Sequence, residues 1–217
     1  MRALTAIFAT IALAVPCVVA AAQSVSGRVV DQHGKGVAQA VVFIQDADAA
    51  ALKPEPTARA SMDQVNRAFV PGVLPVAVGT EVRFPNHDQI HHHVYSFSRT
   101  KSFELPLYKG QDAPPVLFDK PGVVKVGCNI HDWMSAVILV LPTSRFAVTN
   151  EQGDFVLDGV PAGAHTLMAW HEQSRAQPQS TQQAVSLAVA DVTGVTFQLA
   201  LSPARSRPAV RGLRKDP

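Results

Sequence analysis

Short runs of apolar residues, separated by clusters rich in Gly, Pro, Asn and Asp, make up most of the chain after residue 22. Such runs of Val, Ile, Leu and Phe are typical of β-strands, and the clusters between them are typical of turns. No segment shows a convincing helical period with caps at both ends, although residues Arg59 to Phe69 allow a short helical turn. The runs that predict strands are SGRVV, AVVFIQ, FELPLY, VVKVG, AVILVL, FVLDGV, TLMAW, AVSLAV and VTFQLAL. The pattern therefore predicts an all-β protein built from one β-sandwich or two.

Composition agrees with this class. The chain has 217 residues, 47% of them hydrophobic and 17% charged, which suits one or two compact β-rich domains rather than a coiled coil. A net charge of +2 argues against nucleic-acid binding, because nucleic-acid binders usually carry a strongly basic surface. The exception is a basic tail over residues 202–217, which contains Arg205, Arg207, Arg211, Arg214 and Lys215.

The first 22 residues are typical of a secretory signal peptide. A basic start at Arg2 precedes an apolar stretch, and small residues follow it up to Ala22. Pro16 interrupts the apolar stretch, so a retained membrane span is the weaker interpretation, and we expect no stable membrane insertion after cleavage. The mature chain then keeps only one cysteine, Cys128. A lone thiol in an oxidising compartment cannot form an internal disulfide, which makes it a candidate ligand.

The candidate chemistry lies in one loop that follows the predicted strand Val123 to Gly127. There Cys128, His131 and Met134 are each three residues apart, so a tight loop can direct a thiolate, an imidazole and a thioether to one point. Two His, one Cys and a weakly bound Met are the ligands of blue-copper electron-transfer sites. Zinc rarely takes a thioether, and covalent haem needs C-x-x-C-H. The loop therefore predicts a copper site that lacks one imidazole.

The second imidazole is expected from the histidines at 91, 92 and 93, just before a predicted strand from Val94 to Ser98. Successive side chains of a strand point to opposite faces, so His92 cannot share a direction with both of its neighbours. Strand parity places Tyr95 and Phe97 on the same face as His93. Side-chain bulk therefore favours His93 as the inward residue.

Asn86, its spacing to His92-His93-Val94, the strand before the cysteine and the C-x-x-H-x-x-M loop together resemble the cupredoxin pattern. The ligand loop is most similar to that of amicyanin, a small blue copper protein. The resemblance implies a Greek-key β-sandwich over residues 57–142 and one type 1 copper. It implies that the ligands are His92, Cys128, His131 and Met134.

Longer segments, including FPNHDQIHHHVYSFS and FDKPGVVKVGCNIHDWM, are similar to exported proteins labelled methylamine utilisation proteins. With the leader peptide, this likeness implies a periplasmic location. One departure concerns His93, which occupies a position where amicyanin and plastocyanin usually carry an Asn that braces the ligand loop. Spacing therefore favours His92 and bulk favours His93. We give the spacing more weight, because a bulge near the start of the strand can reset which face each residue occupies, and His93 stays open as the alternative.

Two flanking segments, VSGRVVDQHGKGVAQAVVFIQ and RFAVTNEQGDFVLDGVPAGAHTLMAWH, resemble parts of the carboxypeptidase regulatory-like, transthyretin-type β-sandwich. The cupredoxin segment lies between them. We therefore expect a smaller, discontinuous accessory sandwich over residues 23–56 and 143–201, into which the cupredoxin domain is inserted. Contact between Val41–Ile44 and Phe155–Val160 would be needed for this arrangement.

The preferred function is electron transport rather than enzymatic catalysis, because the sequence shows no nucleophile and base array and no carboxylate pair. The expected route is outer-sphere transfer through the imidazole edge of His131 to a transient redox partner, a dehydrogenase or a c-type cytochrome. One alternative is periplasmic copper storage or delivery. Another is a carbohydrate- or protein-binding module whose copper site is vestigial.

Overall fold

The computed structural model describes residues 23–45, 58–110, 113–175, 181–187 and 190–202. Within these ranges the regular elements are β-strands, and the all-β prediction is confirmed. The described part of the chain contains no helix able to cross a lipid bilayer. The predicted signal peptide, residues 46–57 and residues 203–217 of the predicted basic tail lie outside the described residues.

Strands β1 to β9 are Gln23–Asp31, Val41–Ile44, Arg59–Ser61, Asp63–Val65, Ala68–Val70, Val73–Ala77, Thr80–Arg83, His92–Phe97 and Ser102–Tyr108. Strands β10 to β17 are Val116–Phe118, Gly122–Cys128, Ser135–Leu141, Phe146–Val148, Asp154–Val160, Gly163–Trp170, Gln182–Leu187 and Val192–Leu199.

Strands β3 to β12 form a first sandwich. One sheet has the order β6-β12-β11-β8-β9, the other has the order β10-β7-β3, and β4 pairs with β5 in a hairpin. Buried side chains alternate with more exposed ones along β7 and β8, as expected for strands with one face in a core. A single apolar cluster joins both sheets and includes Val82, Val94, Phe118, Val124 and Ile138. Cys128 and Met134 belong to this same cluster.

The remaining strands form a second pair of sheets, with the orders β14-β1-β17 and β13-β2-β15-β16. Strand β1 pairs antiparallel with β14 and parallel with β17, so segments before and after the first sandwich meet in one sheet. Val42 and Ile44 of β2 lie in the same apolar cluster as Phe155, Leu157 and Val160 of β14. This packing supports the discontinuous accessory sandwich, whose boundaries and family remain predictions.

A third apolar cluster joins the two sandwiches. Val41, Phe43 and Met168 of the second sandwich pack against Val73, Leu139 and Leu141 of the first. All six side chains are buried, so the accessory sandwich covers the part of the five-stranded sheet formed by β6 and β12. The two sandwiches are therefore joined by a buried apolar interface.

The short helical turn expected between Arg59 and Phe69 is wrong. This segment forms β3, β4 and most of β5, with a tight turn at Asn66 and Arg67, whose φ angles are 54° and 57°. The segment becomes extended because β3 pairs with the distant β7, and β4 pairs with β5. These pairings override its weak local preference.

The close approach of β1 to β17 depends on Gly27. A Cβ atom at this position would lie 1.9 Å from the backbone oxygen of Val195, so the two strands would have to separate. We expect Gly27→Ala to lower the free energy of unfolding by about 2 kcal/mol or more, as overpacked sites do. Chemical denaturation measures this change. Ser26→Ala, at the neighbouring position of the same strand, is the control, and equal stabilities of the two variants would contradict the prediction.

Candidate metal centre

The loop between β11 and β12 brings the cysteine and the downstream histidine together. Strand β11 ends at Cys128 and β12 begins at Ser135. The backbone N–H of Cys128 donates to the carbonyl of Met134 at 3.1 Å, and the N–H of Met134 donates to the carbonyl of His131 at 2.9 Å. These two hydrogen bonds make the loop compact and hold Cys128 and His131 near each other. The three-residue spacing in the sequence does not by itself predict these bonds.

Strand β8 supplies the upstream imidazole. The strand begins at His92, two residues earlier than the predicted strand from Val94 to Ser98. His92, Val94 and Ser96 are all buried, whereas Phe97 is 81% exposed. The inner face of β8 therefore carries His92.

His92, Cys128 and His131 form one compact group. The Sγ atom of Cys128 lies 3.7 Å from Nδ1 of His92 and 3.6 Å from Nδ1 of His131. All three candidate ligand atoms lie within 4.8 Å of one another. His92 is 0% and Cys128 is 3% exposed, so two of the three are removed from solvent.

The spacing of these atoms fits a shared metal ion. Bonds from a metal to thiolate and imidazole are about 2.0 to 2.3 Å long, so ligands at tetrahedral or trigonal angles lie about 3.5 to 3.7 Å apart. The observed distances of 3.6 and 3.7 Å agree with this range. Two imidazoles and a thiolate also form the donor set of trigonal copper sites. The residues present therefore fit copper.

Asp88 determines which nitrogen of His92 is available to a metal. The Nε2 atom of His92 lies 2.8 Å from Oδ2 of Asp88, and the carboxylate can only accept, so Nε2 carries the proton. The Nδ1 atom of His92, which faces Cys128, is then left with a free lone pair. A carboxylate behind the outer nitrogen also increases the basicity of a ligand imidazole.

Asp88 is itself held by the turn between β4 and β5. The backbone N–H groups of Asn66 and Arg67 donate to its two carboxylate oxygens at 2.6 and 2.8 Å. Burial raises the pKa of Asp88, but the hydrogen bonds from Arg67, His92 and Asn66 outweigh burial and hold the pKa below its ordinary value. The carboxylate therefore stays ionised at neutral pH and accepts from three donors.

His93 faces the other way. Its Nε2 atom pairs with Oε1 of Glu104 at 2.9 Å, and its ring packs edge-on against Tyr95. His93 is therefore not in the group around Cys128. The expectation from side-chain bulk, that His93 points inward, is wrong. The large rings of Tyr95 and Phe97 lie on the outer face of β8, and His93 lies there with them.

His131 connects the buried group to the surface. Burial and the neighbouring His92 and Arg67 lower the pKa of His131, which favours the neutral imidazole that binds metals. The His131 ring contacts the Trp133 ring at a centroid distance of 5.3 Å, and Trp133 is 46% exposed. His131 is also the one member of this group of three that is not fully buried.

Met134 lies in the same apolar cluster as Cys128 and is 2% exposed. Its position in the loop agrees with the sequence pattern, but its role as the axial ligand remains a proposal. At position 93 the backbone, not an Asn side chain, ties the ligand loop to β8, because the N–H of Asn129 donates to the carbonyl of His93 at 3.2 Å. The side-chain amide of Asn86 braces the segment before β8 by donating to the carbonyls of Ile90 and Tyr108, at 2.9 and 3.1 Å.

The sequence interpretation missed Asp88, Asn66 and Arg67. Asp88 lies four residues before His92, a spacing that could have marked it as a partner of the histidine. The turn residues Asn66 and Arg67 have no comparable signal, because they reach Asp88 only through the tertiary fold.

Loss of the carboxylate at Asp88 should weaken metal binding. We expect Asp88→Asn to lower the affinity for Cu²⁺ about 10- to 100-fold, as is typical when the partner of a ligand histidine is removed. Competition titration against a chelator measures the affinity. Asp63→Asn is the matched control, because Asp63 pairs at 2.7 Å with His87, a histidine outside the ligand group. Equal affinities of the two variants would show that Asp88 has no special role.

Comparison with known proteins shows likeness to cupredoxin structures over part of the chain. A purple cupredoxin from Nitrosopumilus maritimus is 26% identical, with a TM-score of 0.34, over 39% of this chain and 99% of that one. An amicyanin mutant in its oxidized state is 20% identical, with a TM-score of 0.35, over 46% of this chain and 98% of that one.

The Cu-containing nitrite reductase of Thermus scotoductus is also similar, with 28% identity and a TM-score of 0.36. That alignment covers 42% of this chain but only 23% of the reductase. No protein-family model and no curated protein sequence matches the chain.

Proposed function

We propose that this protein holds one copper ion in a type 1 site and carries single electrons between redox partners. The observation that carries the proposal is the group formed by His92, Cys128 and His131, with its Sγ to Nδ1 distances of 3.7 and 3.6 Å. Met134 is proposed as the weak fourth ligand. Copper in such a site supplies one-electron exchange between its two oxidation states.

The chain's own residues provide what such a carrier requires. Asp88 and the β4–β5 turn hold the ring of His92 in a single orientation through hydrogen bonds. The hydrogen bonds within the loop fix Cys128 and His131 relative to one another. Because these supports are independent of a metal's charge, the ligand group can keep one geometry in both oxidation states. The contacting rings of His131 and Trp133 then provide the path for the electron from the site to a partner.

The proposal includes several parts of the sequence interpretation. The protein is proposed to be an exported, periplasmic carrier that acts without catalysing a reaction of its own. Its partners are proposed to be a dehydrogenase or a c-type cytochrome, bound transiently. Copper storage or delivery is less well supported, because His92 and Cys128 are almost fully buried and the group is therefore poorly placed for rapid exchange.

The first test is the optical spectrum of the copper-loaded mature protein. We expect an intense visible band from charge transfer between the Cys128 thiolate and copper, and we expect Cys128→Ser to lose it completely. Absorption spectroscopy during titration with Cu²⁺ measures the band. A wild-type protein that binds copper without this band would contradict the electron-carrier proposal and favour storage or delivery.

The second test concerns the fourth ligand. Met134→Leu should raise the reduction potential by about 59 mV or more, a tenfold change for a one-electron couple, because Cu²⁺ loses more from a missing donor than Cu⁺ does. The affinity for Cu²⁺ should correspondingly fall about tenfold more than the affinity for Cu⁺. Redox titration of the visible band measures the shift.

Met168→Leu is the control for this second test, because Met168 is equally buried, at 2% exposure, but lies in the interface between the sandwiches. A potential that is the same in Met134→Leu and Met168→Leu would exclude the axial role of Met134.

A further inference from the structure

A cleft of about 610 Å³ opens between the two sandwiches. It lies next to the loop between β11 and β12, residues 129–134, which we call the metal loop. Its first wall consists of residues Arg67 to Val73 and of the loop and strand residues Trp133 to Ala136. Its second wall consists of Gln39, Val148 and Glu172 of the accessory sandwich. The metal loop and the accessory sandwich therefore share one opening.

Exposed apolar side chains surround this cleft on both walls. Val70 is 50%, Trp133 is 46% and Val148 is 42% exposed, and all three line the cleft. Contiguous exposed apolar side chains with polar neighbours are typical of protein interaction surfaces. Because these side chains are half-exposed, they can contact a surface laid across the opening.

Trp133 connects the cleft to the group formed by His92, Cys128 and His131, because it lines the cleft and contacts His131. The ring of Trp133 contacts the ring of His131, whose Nδ1 atom is 3.6 Å from Sγ of Cys128. A protein docked in the cleft would thus contact Trp133 directly. This short connection favours an occupant that exchanges electrons with the site.

Two charges of opposite sign also line the cleft, one on each wall. Arg67 belongs to the turn between β4 and β5, and Glu172 follows β15. Both side chains are exposed, and neither forms an ion pair within the described ranges. Unpaired charges of both signs can orient a partner that carries the opposite arrangement.

Buried packing joins the two walls of the cleft. The buried cluster that includes Phe43, Leu139 and Met168 joins the two sandwiches. Close to the cleft, Oε1 of Gln39 lies 3.3 Å from the position that a Cβ atom of Gly72 would occupy. Because the walls are already in place, binding would not require the two sandwiches to be brought together.

We infer that this cleft is the docking site of the redox partner, and that the accessory sandwich supplies one of its walls and so helps to select that partner. The occupant is a small redox protein with an apolar surface around its redox centre, an acidic side chain for Arg67 and a basic side chain for Glu172. The inference rests on the proposed electron-carrier function. It gives a function to the accessory sandwich, which supplies none of the proposed metal ligands.

The test uses a c-type cytochrome as the probe partner and the variant Val148→Asp, which lies on the accessory sandwich and outside the ligand group. We expect the dissociation constant of the cytochrome complex with the metal-free protein to rise at least about tenfold, as at an interface hot spot. Isothermal titration calorimetry measures this constant. In the copper-loaded protein, stopped-flow spectroscopy should show a similar fall in the second-order rate constant of electron transfer to the cytochrome.

Val156→Asp is the matched control, because Val156 is an exposed valine of the same sandwich that does not line the cleft. It should bind and reduce the cytochrome like the wild type. Glu172→Lys should weaken the complex at low ionic strength and much less at high ionic strength, because the interaction of exposed charges is screened. Ferricyanide, which needs no docking surface, should oxidise all of these variants at the wild-type rate.

Wild-type binding and electron transfer in Val148→Asp would overturn the docking site and leave the electron-carrier function intact. A parallel loss of the ferricyanide reaction would also overturn it, because Val148 would then act on the metal site itself. Absence of the visible copper band in the wild type would instead contradict the proposed function, and the binding measurement on the metal-free protein would still test the cleft.

Discussion

The packing of one thiol against two imidazole nitrogens at the end of an apolar core is the interaction on which the rest of this structure depends. His92 and Cys128 are almost fully buried, and burying polar groups is unfavourable unless each of them finds a partner. The outer nitrogen of His92 has Asp88 as its partner. The inner nitrogens and the sulfur face one another at distances that fit a bound metal. Metal binding would therefore also stabilise the folded sandwich.

Support for this group comes from distant parts of the chain. Asp88 belongs to the loop before β8, yet it is held by the backbone of the turn at Asn66 and Arg67. The loop after Cys128 is tied to β8 by the hydrogen bond from the N–H of Asn129 to the carbonyl of His93. The site is thus positioned by backbone hydrogen bonds as well as by side-chain packing. Such support restricts movement of the His92 ring and of the loop that carries Cys128 and His131.

The accessory sandwich is integrated with the first one rather than attached by a linker alone. Its strands β2 and β15 cover part of the five-stranded sheet through a buried apolar cluster that includes Phe43 and Met168. The same arrangement brings Val148 and Glu172 to the edge of the metal loop. A second domain placed in this way can influence which proteins reach Trp133 and His131. It can do so without touching the ligands themselves.

The sequence by itself determined the all-β class, the longer strands and the loop in which Cys128, His131 and Met134 recur at intervals of three. These properties are local, because strand preference and loop spacing act over a few residues. Short strands such as β3 and β4, with three residues each, were missed because they are extended only through pairing with other segments.

Only the tertiary structure decided between His92 and His93, because the choice depends on which face of β8 packs into the core. It also decided that the turn at Asn66 and Arg67 holds Asp88 and that the accessory sandwich borders the metal loop. Each of these features joins residues from different strands or loops. Their proximity is created by sheet pairing and core packing, which no local pattern along the chain encodes.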